Sequence, residues 1–339
     1  MSQVLGCEAD VPDMSEEVER LKQLINDKMY SHESKFYVDT MRDGTQSTVK
    51  TIGAFWYAPP LPPIFPFRFL TQQQFNKPKR ALAAEIVPAD RLDDFVRHLT
   101  QENEFNRPHR IPSLSYEHPL YNKDDGGYWK GAVWAPTNYM VLRGLSFNGY
   151  DDLAFEIGLN HLTNVVKIFE ETGKLMLSAD IHVLYLIHTY GFFFSGTVWE
   201  NYAPEQIRPG YAKPYVYLRR VYIHPLLAYS SLLYIPYSDF VGWSGLGPVA
   251  VLFEYVFGIR AIVPCNTLIW RVSLLEAHGV QRYPFGKDKV NLYCAARSSQ
   301  EEKPHIEIES SFALDVVIKW KGDKETKHFG PSKEPPHTV

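Results

Sequence analysis

The chain has 339 residues, 45% of them hydrophobic, and a formal net charge of −4 with acids and bases interspersed. That is enough apolar material to bury the core of one large domain or two ordinary ones. The charge balance supplies neither a basic stripe for nucleic acid nor a polybasic membrane anchor. Three cysteines, Cys7, Cys265 and Cys294, are too sparse for a disulfide scaffold and lack metal-type spacing, so reduced structural thiols are expected.

The first 21 residues, MSQVLGCEADVPDMSEEVERL, place acids where a secretory signal needs a basic start and an apolar run, which points to a cytoplasmic protein. Residues 13–29 read as an amphipathic helix, with Asp13 and Glu16 as a capping box and Val18, Leu21, Leu24 and Ile25 at helical spacing. Pro88-Ala89-Asp90 opens a second helix, with Leu92, Phe95, Val96 and Leu99 on one face. A third begins near Asn138 and carries Met140, Val141 and Leu145. A fourth runs from Asp151 to Thr172 with Leu153, Ile157, His161, Val165 and Phe169 in one stripe and Gly173 as its stop. A fifth follows Pro248, with Val249, Leu252, Phe253 and Val256 ahead of Gly258. The tail then changes character: residues 267–272, 290–296, 305–312 and 314–320 are short β-branched or alternating pieces that predict a small antiparallel sheet. His278-Gly279 reads as a turn at the start of that sheet, and 323–339 as a disordered tail.

Three segments break this pattern. Residues 58–79 are rich in proline without capping logic, and 174–195 and 215–238 are crowded with Tyr, Leu, Ile and Phe but show no stripe. A membrane helix needs roughly 20 apolar residues with few charges. Asp180, His182 and His188 in the first of these and Arg219, Arg220 and His224 in the second argue against insertion.

Aromatic residues make up 14% of the chain, a composition that suits stacking against sugar C–H faces. They concentrate in 126–145, GGYWKGAVWAPTNYMVLRGL, where two tryptophans and three glycines precede an apolar run. Glycine weakens helices and a buried indole N–H needs a partner, so this composition calls for more than core filling.

Three ordered motifs carry a resemblance. They are Tyr128-Trp129-Lys130-Gly131-Ala132-Val133-Trp134 with Asn138-Tyr139, then Thr197-Val198-Trp199-Glu200-Asn201-Tyr202, then Asp239-Phe240-Val241-Gly242-Trp243-Ser244. Over roughly 35–320 the chain resembles the six-hairpin (α/α) glycosidases, in particular glycoside hydrolase family sixty-three and the bacterial mannosylglycerate and glucosylglycerate hydrolases. The resemblance implies a mostly helical fold, a partial toroid of helical hairpins over 1–265 around a sugar pocket, with strands in 266–322 closing the same domain. Removing the three odd segments restores the family's spacing, which marks them as translated non-coding sequence or lineage-specific loops.

Such enzymes invert the anomeric centre with an acid and a base roughly 6.5–9.5 Å apart. By motif position the resemblance makes Glu200 the general base. Tyr128, Trp129, Lys130, Trp134, Asn138, Trp199, Tyr202 and Trp243 are the expected substrate contacts, with Ser244 lining the same mouth. One or more of the three aromatics at 128–134 is expected to plug the hairpin core instead, Asn138 equally suits a helix cap, and Trp243 equally suits the core. Lys130 stands where the family has Arg, and Ala132 where it has Pro; Lys lacks the planar fork for bidentate recognition. The family's acid is an Asp in a "G.D.S" segment on an earlier hairpin. No such segment occurs in 1–56, and Asp39, Asp43, Asp124 and Asp125 do not match it. The chain thus resembles the C-terminal half to two-thirds of a glycosidase. The expected activity is hydrolysis of an α-linked glucoside or mannoside, the alternative a catalytically inactive carbohydrate-binding remnant. A small carbohydrate is the expected partner, with no cofactor, metal, nucleic acid or membrane.

Overall fold

The computed structural model describes residues 13–56, 86–177, 199–210 and 242–331. The expected odd segments 58–79 and 215–238 lie outside these residues, as does 174–195 beyond its first four.

Five helices occur in the described residues: α1 (Asp13–Lys28), α2 (Ala89–Arg97), α3 (Ala135–Phe147), α4 (Asp151–Leu177) and α5 (Gly247–Val256). Three of them depart from expectation for local reasons. Helix α3 starts a turn earlier than Asn138, because Pro136 falls in its first turn, where the missing N–H is not needed. Helix α4 continues through Gly173 to Leu177. A helical glycine costs only about 1 kcal/mol, and good helix formers, Lys174, Leu175 and Met176, follow it. Helix α5 is wound as a π-helix, ending with Phe257 N–H donating to Leu252 O at 2.8 Å. Its wider turn buries Val251, Tyr255 and Val256 and leaves Val249 exposed.

The helices share one core with the short hairpin β1 (Tyr30–Ser31) and β2 (Phe36–Tyr37) and the 3-10 turn Ile52–Trp56. At its centre Phe55 stacks on Phe95 with centroids 4.5 Å apart, and Phe36 packs against both as well as Phe105. The apolar stripe of α1 is a correction: Val18, Leu21 and Leu24 are exposed, and only Ile25 and the following Met29 pack on this core. Phe169 of α4 is likewise exposed, while Ile157, His161, Val165 and Ile168 are buried.

The C-terminal third is two sheets, where the sequence predicted one antiparallel sheet. Strands β3 (Ile259–Ile262), β4 (Thr267–Arg271), β8 (Leu314–Trp320) and β9 (Asp323–Phe329) form a mixed sheet in which β4 and β8 run parallel. Strands β5 (His278–Phe285), β6 (Asp288–Cys294) and β7 (Ile306–Ser310) form an antiparallel one. Alternate residues of β8 (Leu314, Val316, Ile318, Trp320) and β6 (Val290, Leu292, Cys294) meet in a common core between the sheets. His278-Gly279 is part of β5, paired with Cys294 and Tyr293 of β6, and is not a turn. Residues 323–329, expected as disordered tail, form β9. Its sequence DKETKHF has no apolar face, and main-chain pairing from Leu314↔Phe329 to Trp320↔Asp323 holds it as a charged edge strand.

The mixed sheet is tied to the helices by Arg271 of β4, which reaches Asp151 and Asp152 in the first turn of α4 at 3.1 and 2.7 Å. With five helices and three small sheets among the described residues, the fold is mixed α and β, where a mostly helical one was expected.

Candidate active site

The site is assembled on the loop before α3. Asn122 Oδ1 accepts the N–H groups of Asp124 and Asp125, and Asp125 Oδ1 accepts Gly127 N–H at 2.9 Å, which winds 122–127 into consecutive Asx turns. Gly126 has φ +75°, and a Cβ there would lie 2.3 Å from the Ala132 backbone, so only glycine lets the loop fold back on itself. Ala132 N–H closes that fold by donating to Gly126 O at 3.0 Å. A proline at 132 would lack this donor. The fold-back sets Tyr128 in the left-handed region at φ +68°, at a cost of about 1–2 kcal/mol for a non-glycine residue.

The three aromatics of the loop then have different roles. Trp134 is buried and donates its indole N–H to Tyr128 O at 3.1 Å, fixing the strained residue. Trp129 is 43% exposed and stacks flat on Trp134, centroids 4.4 Å apart and planes 7° from parallel. Tyr128 stands edge-on to both. Trp134 is therefore the core plug of the three, and Trp129 is the more exposed tryptophan. Lys130 is exposed at the end of the loop, its carbonyl accepting Asn122 N–H at 2.7 Å.

The second motif arrives by main-chain pairing. Val133 and Tyr202 exchange two hydrogen bonds at 2.9 Å, laying 199–202 beside the loop. This brings the half-buried Glu200 to Tyr128, whose hydroxyl donates to Glu200 Oε1 at 3.4 Å. Trp199 is half-buried and packs on Val133, Val165, Ile168 and Tyr202. Tyr202 was expected to contact substrate, but it is 1% exposed, with its hydroxyl accepting Trp199 N–H at 3.3 Å and its ring against His109 and His161. Burial pushes that phenol above its ordinary range. Its place is the floor beneath Glu200, because main-chain pairing on both sides turns the ring inward.

Asn138 needs the same correction. It is fully buried within α3, and its carboxamide accepts Ile111 N–H at 3.0 Å and donates to Ile111 O at 3.3 Å and Trp134 O at 3.2 Å. Both polar atoms are thereby committed inside the protein, to a neighbouring loop and to the carbonyl at the start of α3, instead of a sugar.

The third motif enters at the turn Gly242–Gly245. Ser244, expected at the pocket mouth, is fully buried and donates its hydroxyl to Glu200 O at 2.7 Å. Trp243 occupies the same turn. Residues from all three motifs thus converge on Glu200.

Sequence reading missed what lies beneath. His109 Nε2 and His161 Nδ1 are 3.1 Å apart in the buried layer under Tyr202. Arg107 binds Glu205 in a fork at 2.7 and 2.9 Å and lies over the Tyr116 ring, and Tyr121 adds its hydroxyl to Glu205 at 2.7 Å. This ties the chain just past the second motif to the loop that carries the first. The stripe of α4 that contains His161 and the Glu five residues after Glu200 were visible, but their partners were not. On the outer side of α4, Asp152, Glu156, Asn160, Asn164, Glu205 and Gln300 border a separate groove of 760 Å³.

Residues 80–171 match the mannosylglycerate hydrolase MGH1-like glycoside hydrolase domain. Over that stretch the chain is similar to this glycoside hydrolase domain. The matched stretch runs from before α2 into α4 and contains the first motif whole. An uncharacterized protein of Borreliella burgdorferi is 24% identical over 88% of this chain and 51% of its own length. A probable mannosyl-oligosaccharide glucosidase of Schizosaccharomyces pombe is 28% identical over 26% of this chain and 12% of its own length. This chain therefore spans about half of the first relative and a small part of the second. Among solved structures, GH63 mannosylglycerate hydrolase from Thermus thermophilus in complex with Tris is 19% identical, with TM-score 0.32, over 54% of this chain and 31% of that one. Its complex with Tris and D-glycerate gives 17%, 0.36, 58% and 35%. Among the described residues, no helix is long and apolar enough to cross a membrane.

Proposed function

We propose that this chain carries the base-side half of a glycoside hydrolase active site, with Glu200 as the general base that activates water in an inverting reaction on an α-linked glucoside or mannoside. The observation that carries this reading is the meeting of Glu200 and Tyr128 across two motifs 72 residues apart in sequence. The partly exposed Trp129 ring lies on the same loop. A carboxylate beside an exposed aromatic platform is the arrangement a sugar-hydrolysing site requires. The ring binds the apolar face of the sugar, and the carboxylate takes a proton from the attacking water.

In this reading Trp129 and Lys130 meet the sugar, Tyr128, Trp134 and Asn138 hold the loop and helix start that present them, and Trp199 and Tyr202 support Glu200 from behind. Trp243, whose side chain lies outside the described residues, is the remaining expected sugar contact. The general acid is a second carboxylate across the pocket, and the surrounding architecture is a toroid of helical hairpins. Assaying the chain on aryl α-glucosides and α-mannosides beside Glu200→Gln tests the assignment. Turnover that falls at least about 10²-fold on substitution supports it. Equal, near-zero rates for both forms, with sugar binding retained, would make the chain a carbohydrate-binding remnant.

A further inference from the structure

We infer that Ser244 is a positioning residue for Glu200: its buried hydroxyl, donating to the Glu200 carbonyl, fixes the place from which that carboxylate works. The inference rests on the reading of Glu200 as a general base.

The main chain around Glu200 is fastened residue by residue, several times by neighbouring backbone or by its own strip. Trp199 N–H donates to Tyr202 Oη, Asn201 O accepts Gly210 N–H at 3.0 Å, and Tyr202 pairs with Val133 in both directions. Pro204 O accepts His109 N–H at 2.9 Å. The Glu200 carbonyl is held differently, by a side chain 44 residues away at 2.7 Å. Ser244 is 0% exposed, so no water stands in for it if the hydroxyl is lost.

The far end of this tether is rigid. Ser244 lies in the short turn that leads into π-wound α5, and Gly247 at the start of α5 packs so closely that a Cβ would sit 2.9 Å from Ala135 Cβ and 3.1 Å from His161 Nε2. Ala135 directly follows Trp134. The serine is thus anchored to the helix start that also carries the aromatic loop, and Glu200 is held at two points, its carbonyl by Ser244 and its carboxylate by Tyr128. Two-point fixation is what a general base needs, because a displacement of about 1 Å costs up to 10²-fold in rate.

Two measurements on the full chain decide the matter. Ser244→Ala is expected to lower kcat on the best aryl α-glycoside about 10- to 100-fold with KM changed less than about twofold, since it moves the base and leaves the sugar platform intact. Amide hydrogen exchange in the same variant is expected to quicken about tenfold at Trp199, Asn201 and Tyr202 while Val141, Leu142 and Ile157 in the helical core keep their protection. Exchange unchanged at 199–202, or faster throughout the core, overturns the inference, as does a loss carried by KM with kcat retained. If the unsubstituted chain turns over no glycoside, the hydrolase reading fails while the exchange pattern still shows whether Ser244 fixes Glu200.

Discussion

His109 Nε2 and His161 Nδ1 approach to 3.1 Å in a layer where the two residues are 1% and 0% exposed. Burial holds His161 down to about 4 and, together with the positive charge its neighbour would carry, holds His109 well below the ordinary imidazole range. Both rings are neutral in the folded protein at neutral pH, and one donates to the other.

A pH dependence of stability follows from this pair. The unfolded chain takes up protons on both histidines near pH 6.5, while the folded chain does not until about pH 4 for His161. The pair's contribution is thus fully present above about pH 6.5 and is lost as pH falls from there toward 4. The slope approaches two protons, about 2.7 kcal/mol per pH unit. Urea unfolding midpoints between pH 7 and pH 4.5 measure it, and His161→Asn, which cannot titrate in this range, should roughly halve the slope. A slope that His161→Asn leaves unaltered would show that other groups cause the acid lability.

Asn138 and Ile111 form the second specific dependency. The carboxamide satisfies both main-chain groups of Ile111 and a carbonyl of the first turn of α3, all in a fully buried setting. Asn138→Ala takes the side-chain partner from both main-chain groups of Ile111, while the Trp134 carbonyl keeps the residue 138 N–H and the Thr137 hydroxyl, and is expected to cost about 2–4 kcal/mol, seen as a fall in Tm of about 5–15 °C. Asn138→Asp should be no better, because it loses the amide donor and places a charge in an apolar layer. Had Asn138 been a sugar contact, either change would lower affinity and spare Tm.

Trp129 gives the opposite expectation. Its ring is 43% exposed and supported from below by Trp134. Trp129→Ala should weaken binding of methyl α-mannoside or methyl α-glucoside by about tenfold, the scale of one aromatic contact, while moving Tm by less than about 2 °C. Titration calorimetry with both sugars checks this, and unaltered affinity would remove Trp129 from the site.

Much of the site's composition was legible in the chain, and its orientation was not. The glycines of 126–131 and the flanking tryptophans marked an irregular loop ahead of a helix, and Gly126 folds that loop back onto Ala132. Nothing local distinguished Trp129 from Trp134, or told that Tyr202, Asn138 and Ser244 turn inward. Each of those orientations depends on a partner remote in sequence: 27 residues for Asn138 and Ile111, 44 for Ser244 and Glu200.

The same division holds for the fold. Periodicity in the sequence was enough to place all five helices and strands β4, β6, β7 and β8, because each segment shows its own period and its own breakers. Tertiary structure decided the rest. Strand β9 exists mainly through its main-chain pairing with β8, since in its charged sequence Phe329 alone is an apolar side chain that packs on the core. The parallel register of β4 with β8 joins segments more than forty residues apart, and the π winding of α5 sets which of its residues reach the core. A sequence reports the period of each segment and the chemistry of each side chain. Which polar atoms end up paired, and which ring faces stay open, is settled only when distant segments compete for the same buried space.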